Sequence, residues 1–210
     1  MPTIRPFHAN DLDDLYRISL ATGAAGDDAS HLYADPRLMG HIYSAPYARL
    51  EPQLAIVVED QEGVAGFAVG AIDTAAWEER LEREWWPTLR QQYVMPPETN
   101  ASAWTPDQRR IVMIHHPART PRAVALEFPA HLHLNLLPRL QGHGVGRELF
   151  NAWLALAGKC AARALHVPIN RMNLRAIRFW GRMGFADLAL DGLPEGRTVW
   201  KGRVQTRTVP

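Results

Sequence analysis

The run Leu137 to Phe150, LPRLQGHGVGRELF, constrains the fold more than any other stretch of the chain. An apolar, strand-like segment, AHLHLNLL, leads straight into a loop carrying Gly142, Gly144 and Gly146, and the loop opens a segment of helical spacing, VGRELFNAWLALAG. Where a strand passes through a glycine loop into a helix N-terminus, several backbone N–H groups converge at the positive end of the helix dipole. Glycines there permit φ > 0 and close approach of an anion. Spacing excludes two phosphate cradles. A dinucleotide fingerprint needs G-x-G-x-x-G, whereas this loop reads G-x-G-x-G and lies in the last third of the chain. A P-loop needs Lys and then Ser or Thr after its last glycine, and here Arg147 and Glu148 follow Gly146. The residues alone leave two readings open: a pyrophosphate cradle, or a helix-opening turn that binds nothing.

The flanking pattern makes the class mixed α/β. TIRPF reads as a strand and DLDDLYRISLAT as a helix capped at Asn10 or Asp11; QLAIVVED and GVAGFAVGAID read as a hairpin across QEG. SHLYADPRLMGHIYSAPY predicts one or two short helices interrupted at Pro36 and Pro46. After the glycine loop the order is helix, strand RALHVPI, helix NLRAIRFWGRMG, strand FADLAL and strand RTVWKGRV. Between Thr74 and about Phe128 the pattern turns helical, with TAAWEERLEREWWPTLRQQY and TPDQRRIVMIHH on either side of a loop. This stretch is predicted as an insertion at about 74–128 within a single domain over 1–210. Four of the seven tryptophans, Trp77, Trp85, Trp86 and Trp104, fall in it; a small satellite core is the expectation, with a substrate wall as the alternative.

Composition removes several function classes. With 23 Lys and Arg against 22 Asp and Glu there is no basic excess for nonspecific nucleic-acid binding. Cys160, the one cysteine, forms no internal disulfide, and no Cys/His spacing resembles a zinc site, so no metal is expected and a reducing cytoplasm fits. The N-terminus lacks an apolar signal core, and no run reaches the roughly 18 uninterrupted apolar residues of a membrane span. No membrane partner is therefore expected.

QGHGVG resembles the Q/R-x-x-G-x-G/A loop of the GNAT acetyltransferase superfamily, with Gln141, Gly144 and Gly146 in the signature positions. Downstream, INRMNLRAIRFWGRMGF resembles that superfamily's second cofactor segment through Asn173, Ala176, Phe179 with Trp180, and Gly184 with Phe185. The resemblance runs the length of the chain: TIRPFHANDLDDLYRI, IVVEDQEGVAGFAVGAIDTAAW and the Trp-rich insertion are similar to the acetyltransferase-like C-terminal domain of eukaryotic O-GlcNAcase. The chain reads as a free-standing bacterial-type relative that keeps the cofactor loop which the eukaryotic domain is regarded as lacking. The fold implied is α/β, the GNAT fold. It is a mixed, mostly antiparallel sheet splayed after its fourth strand, with helices on both faces and the helical insertion between strands 3 and 4. Acetyl-CoA would lie in the V-shaped opening.

The activity implied is acetyl transfer from acetyl-CoA to an amine, on a small molecule or a peptide, by direct attack in a ternary complex, with the protein a monomer or homodimer. By resemblance, Gln141, Gly142, His143, Gly144, Val145, Gly146 and Arg147 grip the pyrophosphate. Leu136 and Leu137 offer main chain to the pantetheine and the thioester oxygen, with Asn173, Ala176, Phe179 and Trp180 nearby. An amine with a pKa of about 10.4 is mostly protonated at neutral pH, so a base titrating near 7 is sought. His131 and His133, two apart on one strand and so on one face, are the first candidates; Asp73 and the pair His115 and His116 follow. Asp73 could instead cap the helix beginning at Thr74. Trp180 stands where the family usually has Tyr, and an indole N–H donates a hydrogen bond without being a practical proton source. That departure keeps a second function class open, an acetyl-CoA-binding pseudoenzyme or a peptide-binding module.

Overall fold

The computed structural model describes residues 1–205. Among them, β1 (Thr3–Pro6), β2 (Ile56–Asp60), β3 (Gly63–Ala71), β4 (Ala130–Leu136), β5 (Ala164–Asn170), β6 (Ala186–Asp187) and β7 (Thr198–Val204) form one sheet in the order β1-β2-β3-β4-β5-β7-β6. Each neighbouring pair is antiparallel except β4 with β5. That parallel pair is joined through α8 (Val145–Lys159), as a parallel connection requires. It holds register only at Ala130↔Leu165 and His131↔His166, whereas β5 stays paired with β7 from Ala164 to Asn170. From Leu132 onward the sheet is split, as the GNAT resemblance implies.

The period of two on β4 sorts its residues between the faces. Leu132, Leu134 and Leu136 lie opposite Gly70, Ala68 and Gly66 on β3, on the face covered by α8, whose fully buried Trp153 donates its indole N–H to the Leu54 carbonyl at 2.8 Å. His131, His133 and Asn135 lie on the other face. Helix α1 (Leu12–Ala21) covers it at Asn135, which donates to the hydroxyl of Thr22 at 2.6 Å. Helices α2 (Leu38–Tyr43) and α3 (Ala45–Leu50) cover the histidines. Pro46 does not interrupt a helix: it sits in the first turn of α3, where its missing N–H would have had no partner.

The insertion is α4 (Thr74–Glu84), α5 (Trp86–Gln92), α6 (Pro106–His115) and α7 (Arg122–Glu127), between β3 and β4. Its two ends meet: the Thr74 N–H and hydroxyl both donate to the Pro129 carbonyl, at 2.8 and 2.7 Å. This closure lays α4 and α5 back over the sheet. Trp77, Leu81, Trp86, Leu89 and Tyr93 are consequently continuous with the main core, and the expected satellite core does not form. Trp85 lies half-buried, donating to the His41 carbonyl at 2.9 Å, and Trp104, also half-buried, donates to the Pro97 carbonyl at 3.0 Å just after the Glu98–Ala103 turn. The strand expected over FADLAL is shortened to β6, two residues long, after which only the Leu188 N–H still reaches β7, at the Trp200 carbonyl.

Candidate active site

The glycine loop and the N-terminus of α8 form a cradle of free donors. Gln141 N–H turns back to Pro138, and the Arg147 and Glu148 N–H groups bond the Gly144 carbonyl. The N–H groups of Gly142, His143, Gly144, Val145 and Gly146 donate to nothing among the described residues. Gly142 and Gly144 are left-handed, at φ +84° and +85°, and a Cβ on either would meet nothing within 4 Å. Gly146 serves packing instead. A Cβ there would stand 3.2 Å from Phe179 and 3.3 Å from Leu136, so this glycine lets α8 approach both β4 and α9 (Leu174–Arg182). Gln141 ties the loop to the strand by donating to the Leu136 carbonyl at 2.8 Å. The Leu137 N–H completes the ladder to Ala65 at 2.8 Å, which removes it as a donor to a ligand. The β4 edge from Leu132 has no β5 partner. Asn173 caps α9, accepting from the Ala176 N–H at 2.9 Å. Arg147 lines an open groove of about 320 Å³ together with Arg182 and Arg203. Neither of the last two stood out in the sequence.

Three imidazoles gather where the sheet divides. His131 and His166 are the last facing pair of β4 and β5, with ring centroids 5.5 Å apart, and His133 follows two residues along the open strand. Hydrogen-bond direction assigns their protons. The Thr74 hydroxyl donates to the Pro129 carbonyl, which leaves its oxygen to accept from Nδ1–H of His131 at 2.7 Å. His131 Nε2 then accepts from the Tyr47 hydroxyl at 2.8 Å, and the Tyr47 oxygen accepts from Nε2–H of His133 at 3.3 Å. Nδ1 of His133 is left as a lone pair with no protein partner among the described residues. His166 donates Nδ1–H to the Phe128 carbonyl at 2.6 Å. No sequence signal beyond strand parity pointed to Tyr47 or His166.

Burial overturns the expectation of a base titrating near 7. Desolvation, with help from neighbouring imidazoles, pushes His133 down to about 4 and His131 well below its ordinary value; desolvation likewise lowers His166 to about 4. All three rings are neutral at pH 7. They form part of the lining of a cavity of about 170 Å³ roofed by α2, α3 and the insertion. Asp73 lies outside it: its carboxylate accepts the Ala76 N–H at 3.0 Å as the cap of α4. His115 is engaged with the Tyr93 carbonyl at 2.7 Å and His116 is exposed, so the insertion pair does not reach the fork.

Trp180 is 6% exposed and packs edge-on against Phe150, Phe179 and Phe185, with centroids 5.0 to 5.5 Å away. Trp180→Tyr is therefore expected to loosen this cluster and give no gain in single-turnover rate at saturating acetyl-CoA. A tenfold acceleration would instead mean that the position wants a proton donor.

The chain matches the acetyltransferase (GNAT) family over residues 27–185. Among solved structures it is similar to SsHAT, at 30% identity and a TM-score of 0.86, with 98% of this chain and 99% of that one covered. It shares the fold of the PaiA N-acetyltransferase of Thermoplasma acidophilum, solved in complex with coenzyme A, at 12% identity and a TM-score of 0.53, covering 98% and 99%. Protein O-GlcNAcase of Rattus norvegicus is 21% identical over 198 residues, which is 92% of this chain and only 21% of that protein's length. No described helix is long and apolar enough to cross a membrane. With the family match spanning most of the chain and the splayed sheet beneath it, this protein belongs to the acetyltransferase (GNAT) family.

Proposed function

We propose that this chain is an acetyl-CoA-dependent N-acetyltransferase that moves the acetyl group directly to an amine in a ternary complex. The carrying observation is the split of the sheet after His131 and His166, with free donors of the glycine cradle at one end of β4 and the imidazole cavity at the other. The N–H groups of Gly142 to Gly146 suit pyrophosphate oxygens, the unpaired β4 edge suits pantetheine amides, and the Arg147, Arg182 and Arg203 groove suits a further phosphate. Bound acetyl-CoA would supply the activated acyl group. His133 Nδ1 is the free lone pair facing the acceptor, and Tyr47 with His131 fixes its ring.

The test is release of free CoA across a broad amine panel, beside a thermal shift with acetyl-CoA against acetate. Stabilisation by acetyl-CoA without turnover on any amine would favour the second reading, a cofactor-binding module, for which Trp180 in place of Tyr is the specific observation. His133→Gln keeps a donor toward Tyr47 and removes the imidazole lone pair. Turnover at pH 7 is expected to fall by about 10² with the KM for acetyl-CoA unchanged. With His133 held at about 4, the wild-type rate should show no inflection from this ring near neutrality. An inflection near 6.5 that disappears in the variant would contradict the buried-base assignment.

A further inference from the structure

The cavity at the fork, about 170 Å³, is close to the size of the roughly 150 Å³ apolar cavity that holds one benzene ring. Its walls are flat. Tyr47 stacks on Trp77 with centroids 4.4 Å apart and planes 23° apart, and Tyr43 and Trp86 add further aromatic surface. The formal charges around it cancel between the carboxylates of Glu78 and Glu82 and the guanidiniums of Arg90 and Arg119, so no net charge selects a cation. Glu78 accepts the Thr120 N–H at 2.7 Å, and Glu82 holds Arg90 through both oxygens at 2.9 and 3.1 Å. Arg110 lies against Tyr43, donating to its hydroxyl at 2.9 Å, and Arg119 stands exposed at the rim. The imidazoles at the floor are kept neutral by burial, so none offers a counter-charge. Trp77 Nε1 is buried with no partner among the described residues, and an ammonium group brings no acceptor for it.

Building on the N-acetyltransferase reading, we propose that the acceptor is a primary arylamine, its nitrogen bonded directly to a flat ring, which enters this cavity uncharged. The ring lies against the Tyr47 and Trp77 walls and the nitrogen is directed to His133. An alkylamine holds its proton about 10⁶-fold more tightly than an imidazole titrating at about 4, so His133 is ill suited to free it. An arylamine shares its lone pair with the ring and is already neutral at pH 7. On attack, the N–C bond forms to the acetyl carbon and the C–S bond breaks. One proton leaves nitrogen, which has become strongly acidic in the tetrahedral adduct. It passes to His133 Nδ1 and from there to the departing sulfur. The products are the N-aryl acetamide and the CoA thiol.

4-Methylaniline and benzylamine are isomers that differ in whether the nitrogen is on the ring or one carbon away, which makes them the test pair. With saturating acetyl-CoA at pH 7, CoA release with 4-methylaniline should show a kcat/KM at least about 10²-fold above that with benzylamine, given the share of alkylamine locked as ammonium. The arylamine rate should be flat from pH 6.5 to 9, while any benzylamine rate climbs with pH. A small-ring competitor, toluene, should inhibit the arylamine reaction without displacing acetyl-CoA. Benzylamine turnover equal to or above that of 4-methylaniline overturns the arylamine assignment and leaves the N-acetyltransferase reading standing. Failure of both amines while calorimetry shows acetyl-CoA bound also overturns it, and the wider amine panel then decides the broader reading.

Discussion

Lowering the pH from 7 to 5 should destabilise this protein steeply, with an acid-unfolding midpoint of about pH 5, above the range in which carboxylates titrate. Four imidazoles carry the effect. Desolvation lowers His41, His133 and His166 to about 4, and holds His131 well below its ordinary value. His41 also lies near the Arg37 charge, and its Nε2 is buried without a partner among the described residues. The sign follows from linkage. In the unfolded chain these groups bind protons below about 6.5, while the folded protein resists protonation until about 4. Their contribution to stability is complete above the unfolded value and is lost as the pH falls from 6.5 to 4. Each group adds up to about 1.4 kcal/mol per pH unit across that window, so four together reach at most about 5.5 kcal/mol per unit against a usual margin of about 5–15 kcal/mol. Melting curves at pH 7, 6 and 5 check this, together with potentiometric proton uptake on unfolding at pH 5, expected to approach four. A melting temperature that does not change between pH 7 and 5 would show that these rings are not held neutral.

Gly144→Glu should raise the Kd for acetyl-CoA at least about 100-fold, a loss of about 2.8 kcal/mol. The residue is left-handed at φ +85°, so any side chain there strains the backbone by about 1–3 kcal/mol. Nothing stands within 4 Å of the new Cβ, so the variant has room to fold. The new carboxylate stands within a loop of free N–H groups, for which it competes while repelling a pyrophosphate. Gly144→Ala separates the two effects, because it carries the same strain without the charge. Its melting temperature should fall about as far as that of the Glu variant, while acetyl-CoA binding stays within about tenfold of wild type. Equal affinity in wild type and Gly144→Glu by calorimetry would remove the cradle as the phosphate site.

What was legible in the sequence was local. The strand before Pro138, the left-handed glycines and the helix from Val145 are written in neighbouring residues, as is the cap that Asp73 gives α4. The fork was legible only through resemblance, because it depends on β5 leaving β4 after a single facing pair of histidines to follow β7 instead. Burial was not legible at all. Strand parity put His131 and His133 on one face, but the Tyr47 hydroxyl that joins them comes from α3, and the Trp77 ring stacked on that tyrosine comes from the insertion. These long-range contacts turn two candidate bases into neutral, desolvated rings. Nor did spacing separate the glycines: Gly144 and Gly146 look alike in GHGVG, yet one is a left-handed opening and the other a packing contact with Phe179 and Leu136.

The central claim, that this chain holds acetyl-CoA at the glycine cradle, is tested most directly by following backbone amide resonances during titration with acetyl-CoA, with acetate as the control. The expected result is saturable one-to-one binding, with the largest shifts at the N–H groups of Gly142, His143, Gly144, Val145 and Gly146, and no response to acetate. Saturable binding that leaves those five amides unmoved, or no binding at all, would contradict it.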